Sequence, residues 1–361
     1  MGYPRVEVDL EKLGNNVREI VRRSAELGIQ VAGVIKGCGG LPECAKVMAD
    51  EGCTAIASSR LSQLEAAKEN GVNSPLMLIR IPMLSDVPEV IRLADISLNS
   101  ELSVLEALDS EAGRQRKRHN IILMVELGDL REGIWDRREL VHTALKVEND
   151  FADLHLLGVG VNVGCYGSVA ATVEKLSELV EAAEDVEAAI GRKLEIVSGG
   201  ASTSLPRVME KNMPARINHL RFGEAILFAK DLEDLWGINT PFLYKDVFTL
   251  KAEVVEVKVK PSYPIGEIAF DAFRNRPLYV DRGRRRRALI AVGKADYAFP
   301  EQLAPRDKGV EILGASSDHT ILDIEEAERD IRVGDILEFD LCYAPAVFLT
   351  SPQDVEIRIN G

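Results

Sequence analysis

One unit recurs along the chain between residues 10 and 240: a short apolar run that ends in small or polar residues, followed by a stretch with helical periodicity. Because each run is apolar on both faces, it predicts a strand buried on both sides, as in a parallel sheet. Eight such strands that alternate with helices predict an α/β fold, a (β/α)8 barrel of the TIM type. The runs span residues 31–36, 54–59, 76–80, 95–100, 121–127, 154–164, 194–201 and 219–228.

A doubly wound open sheet is the alternative for alternating strands and helices. That fold needs a glycine-rich phosphate loop after its first strand. Residues 37–40, with the sequence GCGG, make only a poor loop of that kind. The barrel is therefore the favoured fold.

After about residue 240 the pattern changes to an alternation of apolar and polar residues, which is typical of strands in an antiparallel sheet. We therefore predict two domains: the barrel over residues 1–240 and a C-terminal β-rich domain over residues 241–361. The N-terminal strand, residues 3–9, also alternates and leads into the barrel or is shared with the β domain. The alternating segments after the barrel are 248–260, 286–293, 309–315, 335–341 and 354–359.

Charge and cysteine content limit the possible partners. The formal net charge of −14 repels nucleic acid on average, and we interpret the arginine-rich run 281–287 as the solvated end of a hairpin. The apolar runs are too short to span a bilayer, and the N-terminus has no apolar signal segment. Five scattered cysteines without a CxxC pair predict a reduced, cytoplasmic protein without a metal site.

In a barrel of this type the active site lies at the carboxyl ends of the strands. Reading those ends in chain order identifies the candidate functional residues. They are Lys36, residues 58–60, Arg80, Asn99, Glu126 with Arg131, Asn162, residues 198–204 and residues 221–223.

Three of these strand ends suggest a cofactor. Lys36 follows a buried strand, where a lysine loses its proton more easily and attacks an aldehyde, although many lysines at such positions only reach solvent. The SGGASTS turn at 198–204 and Arg221 offer hydroxyls, backbone N–H groups and a cation that suit a phosphate, although a tight turn with a capping serine has the same composition. Together they indicate a pyridoxal-phosphate enzyme.

The chain resembles the fold-type III pyridoxal-phosphate enzymes of the alanine racemase superfamily, and within it the ornithine racemase branch. The resemblance covers nearly the whole chain. The segments that carry it are RVEVDLEKLGNNV, VIKGCGG, LMLIRIPMLSDV, ADISLNSEL, ILMVELGDLREGIW, GVGVNVG, SGGAST, LRFGEAIL, PIGEIAFDAF and EILGASSDH.

The resemblance implies roles for the strand-end residues. Lys36 would form the internal aldimine with pyridoxal 5'-phosphate and move the α-proton on one face. Arg221 would meet the pyridine nitrogen and keep it unprotonated, which suits racemisation.

The same resemblance assigns the remaining cofactor contacts. Ser202 with the amides of Gly223 and Glu224 would hold the phosphate, with Ser204 a weaker candidate. Arg131 would reach the phenolic oxygen, and Asn162 stands where alanine racemases carry a histidine that faces the ring.

The chain departs from alanine racemases at two further positions. Lys294 occupies the place of the tyrosine that acts as the opposite-face base, and Gly40 that of a tyrosine near the phosphate. A racemase needs an acid or base on each face, so another residue must substitute. We favour His319 because histidine is the residue type whose free side chain titrates closest to neutral pH; the alternatives are Tyr297, Lys294, Cys342, Cys165 and Tyr166.

The leading hypothesis is a racemase that interconverts L- and D-ornithine and acts as a homodimer with sites at the subunit interface. The side-chain ammonium of ornithine would need a carboxylate, for which Glu267, Asp271 and Asp318 are the candidates. Alternatives are a racemase for lysine, alanine or other amino acids, a non-catalytic pyridoxal-phosphate carrier, and a decarboxylase of basic amino acids. The resemblance implies no partner besides the small-molecule substrate and the second subunit, with neither nucleic acid nor membrane involved.

Overall fold

A computed structural model describes residues 2–274, 276–351 and 354–361. The chain divides into two compact units. One unit is Glu11–Tyr244, and the other combines the segment up to Leu10 with Lys245–Gly361. The first boundary falls at the start of the helix Leu10–Ala25, and the second falls in the loop before the strand Phe248–Pro261.

The secondary structure of the described residues is numbered in chain order. The strands are β1 Arg5–Asp9, β2 Gln30–Val34, β3 Ala55–Ser58, β4 Leu76–Leu78, β5 Ile96–Asn99, β6 His119–Met124, β7 Leu154–Gly160, β8 Ile196–Ser198, β9 His219–Phe222, β10 Phe248–Pro261, β11 Arg284–Ile290, β12 Ala304–Pro305, β13 Glu311–Ala315, β14 Thr320–Asp323, β15 Ile336–Asp340 and β16 Glu356–Asn360. The α-helices are α1 Leu10–Ala25, α2 Pro42–Asp50, α3 Leu61–Glu69, α4 Val87–Leu93, α5 Leu102–Gln115, α6 Arg137–Asp150, α7 Val173–Ile190, α8 Leu205–Met209, α9 Glu224–Leu227, α10 Asp231–Asp234, α11 Lys294–Tyr297 and α12 Tyr343–Leu349.

Strands β2 to β9 form a closed parallel barrel in which each strand pairs with the next along the chain and β9 pairs with β2. This confirms the predicted fold class. The strands are buried on both faces, since helices cover the outside: a Cβ at Gly33 would lie 2.8 Å from Sδ of Met48 in α2. The inside is filled by a cluster of Ala32, Val34, Ala55, Ala57, Met77, Ile96, Leu98, Ile122 and Met124.

Two buried serine–histidine pairs cross between neighbouring barrel strands. His119 Nε2 lies 2.8 Å from Ser97 Oγ between β6 and β5, and His219 Nδ1 lies 2.8 Å from Ser198 Oγ between β9 and β8. Burial lowers the pKa of His119 to about 4 and the pKa of His219 to about 3. Both rings are therefore neutral in the folded chain at physiological pH.

The second unit contains an antiparallel sheet in the order β12-β15-β10-β11-β14-β13. The N-terminal strand β1 belongs to this unit, where it pairs antiparallel with β10 and parallel with β16. The alternating pattern had not indicated β12 and β14, because strands of two and four residues give too few alternations to detect.

The arginine-rich run lies at the start of β11 and is neutralised by carboxylates of the same unit. Arg282 pairs with Glu311 at 2.6 Å, Arg285 with Asp323 at 2.9 Å and Arg286 with Asp330 at 2.7 Å. Among the described residues, no helix combines the length and the apolarity needed to cross a membrane.

The buried histidines predict a loss of stability in acid. The unfolded chain takes up protons below a pKa of about 6.5, whereas His119 stays neutral in the folded chain until about pH 4. The contribution of each histidine is therefore complete above about pH 6.5 and is lost as the pH falls. We expect His119→Gln to reduce the drop in unfolding free energy between pH 7.5 and 5 by about 2 kcal/mol.

Urea titrations at the two pH values measure this difference. The matched control is His142→Gln, because His142 is exposed on α6. An identical pH dependence of the His119 variant, the control and the wild-type chain would show that the buried ring does not govern acid stability.

Candidate active site

Lys36 lies in a 3-10 turn, Ile35–Cys38, directly after β2. The turn ends at Gly39, whose positive φ of 63° lets its N–H bond to the Lys36 carbonyl. Lys36 Nζ has no hydrogen-bond partner among the described residues, and its side chain is largely buried. Burial, reinforced by the charges of Arg131 and Arg221, lowers the pKa of Lys36. The amine is thus more readily neutral, and a neutral amine is the nucleophilic form.

Arg221 is a buried cation on β9, beside β2 in the barrel. Its Nη2 donates to the carbonyl of Val161 at 2.8 Å, and its Nη1 donates to the Ser198 hydroxyl. Because a guanidinium only donates, the Ser198 hydroxyl directs its own hydrogen to His219 Nδ1. Burial lowers the pKa of Arg221 to about 10, so the group keeps its charge at neutral pH. The link through Ser198 fixes its orientation.

The turns after β8 and β9 meet beside the end of β2. Ser202 Oγ accepts the N–H of Ala225 at 3.0 Å, which ties the two turns together. A Cβ on Gly223 would lie 3.2 Å from both Cβ and O of Val34, which is tighter than most Cβ contacts, so the absence of a side chain eases the close approach of the backbone to β2. Ser204 Oγ donates to the carbonyl of Gly199 at 2.7 Å and is occupied in holding its own turn.

The Glu224 side chain braces the turn after β9. Its Oε1 accepts the N–H groups of Lys230 and Asp231 at 2.9 and 3.0 Å, while its buried Oε2 has no partner among the described residues. Burial, with the nearby charges of Asp231 and Asp234, raises the pKa of Glu224 to about 7. The backbone amide of Glu224 is a candidate phosphate contact, and its carboxyl group in addition stabilises this turn.

Asn162 and the loop that follows it lie at the end of β7. Asn162 Nδ2 is buried without a hydrogen-bond partner among the described residues, which leaves a donor free for a ligand. Asp129, fully buried in the loop after β6, holds the neighbouring loop by accepting four backbone N–H groups. The donors are Gly164, Cys165, Tyr166 and Val169, at 3.0 to 3.3 Å.

Arg131 lies on the loop after β6, next to the one that Asp129 holds. Its guanidinium forms two hydrogen bonds to the carboxylate of Glu132, and its Nη1 lies 3.1 Å from Cys165 Sγ. The Arg131 backbone N–H donates to Glu126 Oε2 at 3.0 Å. The structure therefore brings Lys36, Arg131, Asn162, Ser202, Arg221, Gly223 and Glu224 to the carboxyl end of the barrel.

The other predicted residues lie in the β unit. Asp318 and His319 are exposed in the turn between β13 and β14. The backbone N–H of Lys294 donates to the carbonyl of Ser316 in this turn at 2.8 Å. Asp271 lies 4.0 Å from Lys294 Nζ. The structure thus groups Asp271, Lys294 and the 316–319 turn.

Two alternative bases and one acid of the β unit have different surroundings. Tyr297 is fully buried, its hydroxyl meets Thr320 Oγ1, and burial raises its pKa to about 12, so it is poorly suited as a base. Cys342 Sγ lies 3.6 Å from the Gln302 carbonyl. Glu267 is exposed.

Sequence reasoning missed Asp129, Glu132 and the link from Ser198 to His219. Asp129 and Glu132 flank Arg131 in a loop, where no periodicity distinguishes a structural carboxylate from a solvated one. His219 begins a buried strand, and only its register opposite Ser198 reveals the contact with the Arg221 system. The signal that could have revealed this link is a polar residue, such as Ser198 or His219, within a buried strand.

Comparison with known proteins identifies the family. Residues 8–231 match the model of the alanine racemase N-terminal domain. The chain belongs to this family. The chain is 39% identical over 347 residues to the ornithine racemase of Acetoanaerobium sticklandii, which covers 94% of the chain and 95% of the relative. It is 36% identical over 354 residues to the lysine racemase of Thermotoga maritima, and this alignment covers 98% of the chain and 97% of the relative.

Solved structures agree on the fold of this family member. The alanine racemase of Streptomyces lavendulae superposes with a TM-score of 0.74 at 18% identity, covering 100% of the chain and 98% of that protein. The D-threonine aldolase of Filomicrobium marinum superposes with a TM-score of 0.73 at 13% identity, covering 97% and 89%. Both curated relatives are racemases, and this chain is an enzyme of that kind.

The Glu224 carboxyl predicts a penalty at alkaline pH. Its folded pKa of about 7 lies above the usual 4.5, so the folded chain favours the protonated form. Its contribution to stability is complete below about pH 4.5 and is lost as the pH rises through 7. We expect Glu224→Gln to raise the unfolding free energy at pH 8 by about 3 kcal/mol, and by much less at pH 4.5.

Thermal and urea unfolding at pH 4.5 and 8 check this expectation. Glu69→Gln, an exposed position on α3, is the matched control. A Glu224 variant that is no more stable than the control at pH 8 would contradict the argument.

Proposed function

We propose that this racemase binds pyridoxal 5'-phosphate and interconverts L- and D-ornithine. The assignment of the cofactor rests mainly on Lys36, which is largely buried and has no hydrogen-bond partner among the described residues, and on the nearby buried cation Arg221. The residues present fit the group, because Asn162 Nδ2 is an orphaned buried donor and Arg221 is a buried cation at the same end of the barrel. The bound cofactor supplies an electron-withdrawing ring that acidifies the α-hydrogen of an amino acid.

The residues at the barrel end would then have the following functions. Lys36 would bind the aldehyde carbon of the cofactor, with loss of the aldehyde oxygen as water, and would carry the α-proton on one face. Arg221 would meet the pyridine nitrogen as a fixed cation. Ser202 and the amides of Gly223 and Glu224 would hold the phosphate, and Arg131 would meet the phenolic oxygen.

The opposite face needs a second acid or base, for which His319 remains our candidate. It is exposed on the turn between β13 and β14, where its ring is open to solvent. Lys294, Cys342, Cys165 and Tyr166 remain the alternatives. Replacing His319 by alanine tests the assignment, because loss of the base slows turnover while the cofactor band persists.

The substrate assignment rests on the relative that is an ornithine racemase and on the need for a carboxylate that meets a side-chain ammonium. Asp271 faces Lys294, so part of its charge is already offset. Asp318 accepts a hydrogen bond from Ser317 at 2.7 Å but is otherwise exposed, as is Glu267. Asp318 and Glu267 are therefore the better placed of the three.

Lysine is the second candidate substrate, because the lysine racemase matches the chain almost as well. Chiral chromatography of L-ornithine, L-lysine and L-alanine, each incubated with the cofactor-loaded protein in D2O, separates the possibilities. We expect D-ornithine to form fastest, with deuterium at the α-carbon and no release of carbon dioxide.

The other outcomes each identify an alternative. Faster formation of D-lysine would reassign the substrate. Release of carbon dioxide would indicate a decarboxylase, and the absence of both product and deuterium exchange would indicate a carrier.

We also propose that the protein is a cytoplasmic homodimer. Sedimentation velocity measures the number of subunits.

We expect Lys36→Ala to abolish the cofactor absorbance band of the covalent linkage and to lower racemisation ~10³-fold or more, because the variant loses both the attachment point and one acid/base group. Absorbance spectra and chiral analysis measure the two effects. Lys46→Ala is the control, since Lys46 is exposed on α2 and pairs with Asp50. A Lys36 variant that keeps the band would exclude Lys36 from this role.

A further inference from the structure

Three basic side chains gather at the carboxyl end of the barrel: Lys36, Arg131 and Arg221. One carboxylate, Glu132, acts electrostatically on all three of them. Its side chain is 17% exposed, against 37% for Arg131. The Glu132–Arg131 pair is therefore partly shielded from water, where an ion pair is stronger than at an open surface.

The geometry of the pair is that of a clamp. Arg131 Nε and Nη2 both donate to the Glu132 carboxylate, one to each oxygen, and Nη1 points to Cys165 Sγ at 3.1 Å. A bidentate contact fixes the plane of the guanidinium as well as its position. Arg131 is thus held on two sides by side chains from two different loops.

Both loops are themselves fixed. Glu126 accepts the N–H groups of Gly128 and Arg131 at 2.5 and 3.0 Å, and Asp129 holds the loop that carries Cys165. After Glu132, Gly133 adopts a φ of +139°, where a Cβ would lie 2.5 Å from the Glu126 nitrogen. The backbone on either side of the pair therefore has little freedom, which keeps the clamp in place.

We propose that Glu132 is a positioning residue of this racemase, whose carboxylate orients the Arg131 guanidinium and balances the positive charge around Lys36. The inference deepens the proposed function and rests on it, since it concerns how the cofactor site is prepared. The Glu132 side chain thus has two effects, orientation of Arg131 and balance of charge, and these depend on different properties of the carboxylate. Orientation depends on two oxygens at the right distance, whereas charge balance depends only on the negative charge.

The charged and titratable groups around Lys36 predict the direction of the electrostatic effect. Arg131 and Arg221 disfavour its protonated form, whereas Glu132 and Cys165 favour it. Removing the charge of Glu132 therefore lets Lys36 lose its proton at lower pH. Because a neutral amine attacks the aldehyde, attachment of pyridoxal phosphate then begins at lower pH.

The experiment measures attachment and turnover separately. The protein is incubated with pyridoxal phosphate over a range of pH, the product at Lys36 is trapped with borohydride, and peptide mass spectrometry gives the attached fraction. In parallel, kcat and KM for L-ornithine and L-lysine are measured with the loaded enzyme. Circular dichroism and the melting temperature establish that each variant is folded.

For Glu132→Gln we expect the midpoint of trapping to fall by about one pH unit, as for loss of a nearby opposite charge. We also expect kcat to drop ~10²-fold with the better of the two substrates, the scale of a misplaced active-site group. Glu132→Asp keeps the charge but shortens the side chain, so its midpoint should stay near that of the wild type while its kcat still falls. A merely structural glutamate would not separate the two readouts in this way.

Glu148→Gln is the matched control, because Glu148 forms the same bidentate contact, with Arg192, at 2.8 and 2.7 Å. It should leave the trapping midpoint and kcat unchanged. If wild-type protein racemises and is trapped at Lys36 while Glu132→Gln matches this control, the positioning role is wrong and the proposed function stands. If wild-type Lys36 is not trapped at any pH, both are overturned.

Discussion

Closure of the barrel between β2 and β9 is the constraint on which the site depends. The pairing sets Ala32 opposite Arg221 and Gly33 opposite Phe222, so the ends of the first and last barrel strands lie side by side. Lys36 follows one of these strands and Gly223 the other, although nearly the whole unit separates them in the chain. An open sheet would leave these two strands at opposite edges. The proximity of the lysine to the turn that we propose to hold a phosphate therefore requires a closed barrel.

Burial makes the electrostatics of this region unusual for so acidic a chain. The net charge is −14, yet three basic groups, Lys36, Arg131 and Arg221, lie at the barrel end together with the acids that hold its loops. The same burial that lowers the pKa of Lys36 keeps His219 neutral, so that the Arg221 system gains no second positive charge. An imidazolium beside a buried guanidinium would cost several kcal/mol, which the neutral ring avoids. The serine between them transmits orientation without adding charge.

The sequence was sufficient to predict the barrel because its strands are short apolar runs buried on both faces. This pattern can be recognised in the sequence without any knowledge of contacts. The strand-end rule then led to Lys36, Arg131, Asn162, Ser202 and Arg221. It could not show which of these side chains have partners, since partners come from neighbouring loops. Asp129 is the clearest case, because its four contacts lie in a loop more than thirty positions along the chain.

Charge complementarity also bears on the substrate. A diamino acid brings a carboxylate and a distal ammonium, and the barrel end offers cations for the carboxylate and for a phosphate. Glu132 is engaged by Arg131 on both oxygens, so binding an ammonium there would break the bidentate pair. We therefore expect the ammonium to be met by a carboxylate whose charge is uncommitted, as at Asp318 or Glu267. On the proposed function, Glu132 would therefore prepare the cofactor site and would not bind the side chain of the substrate.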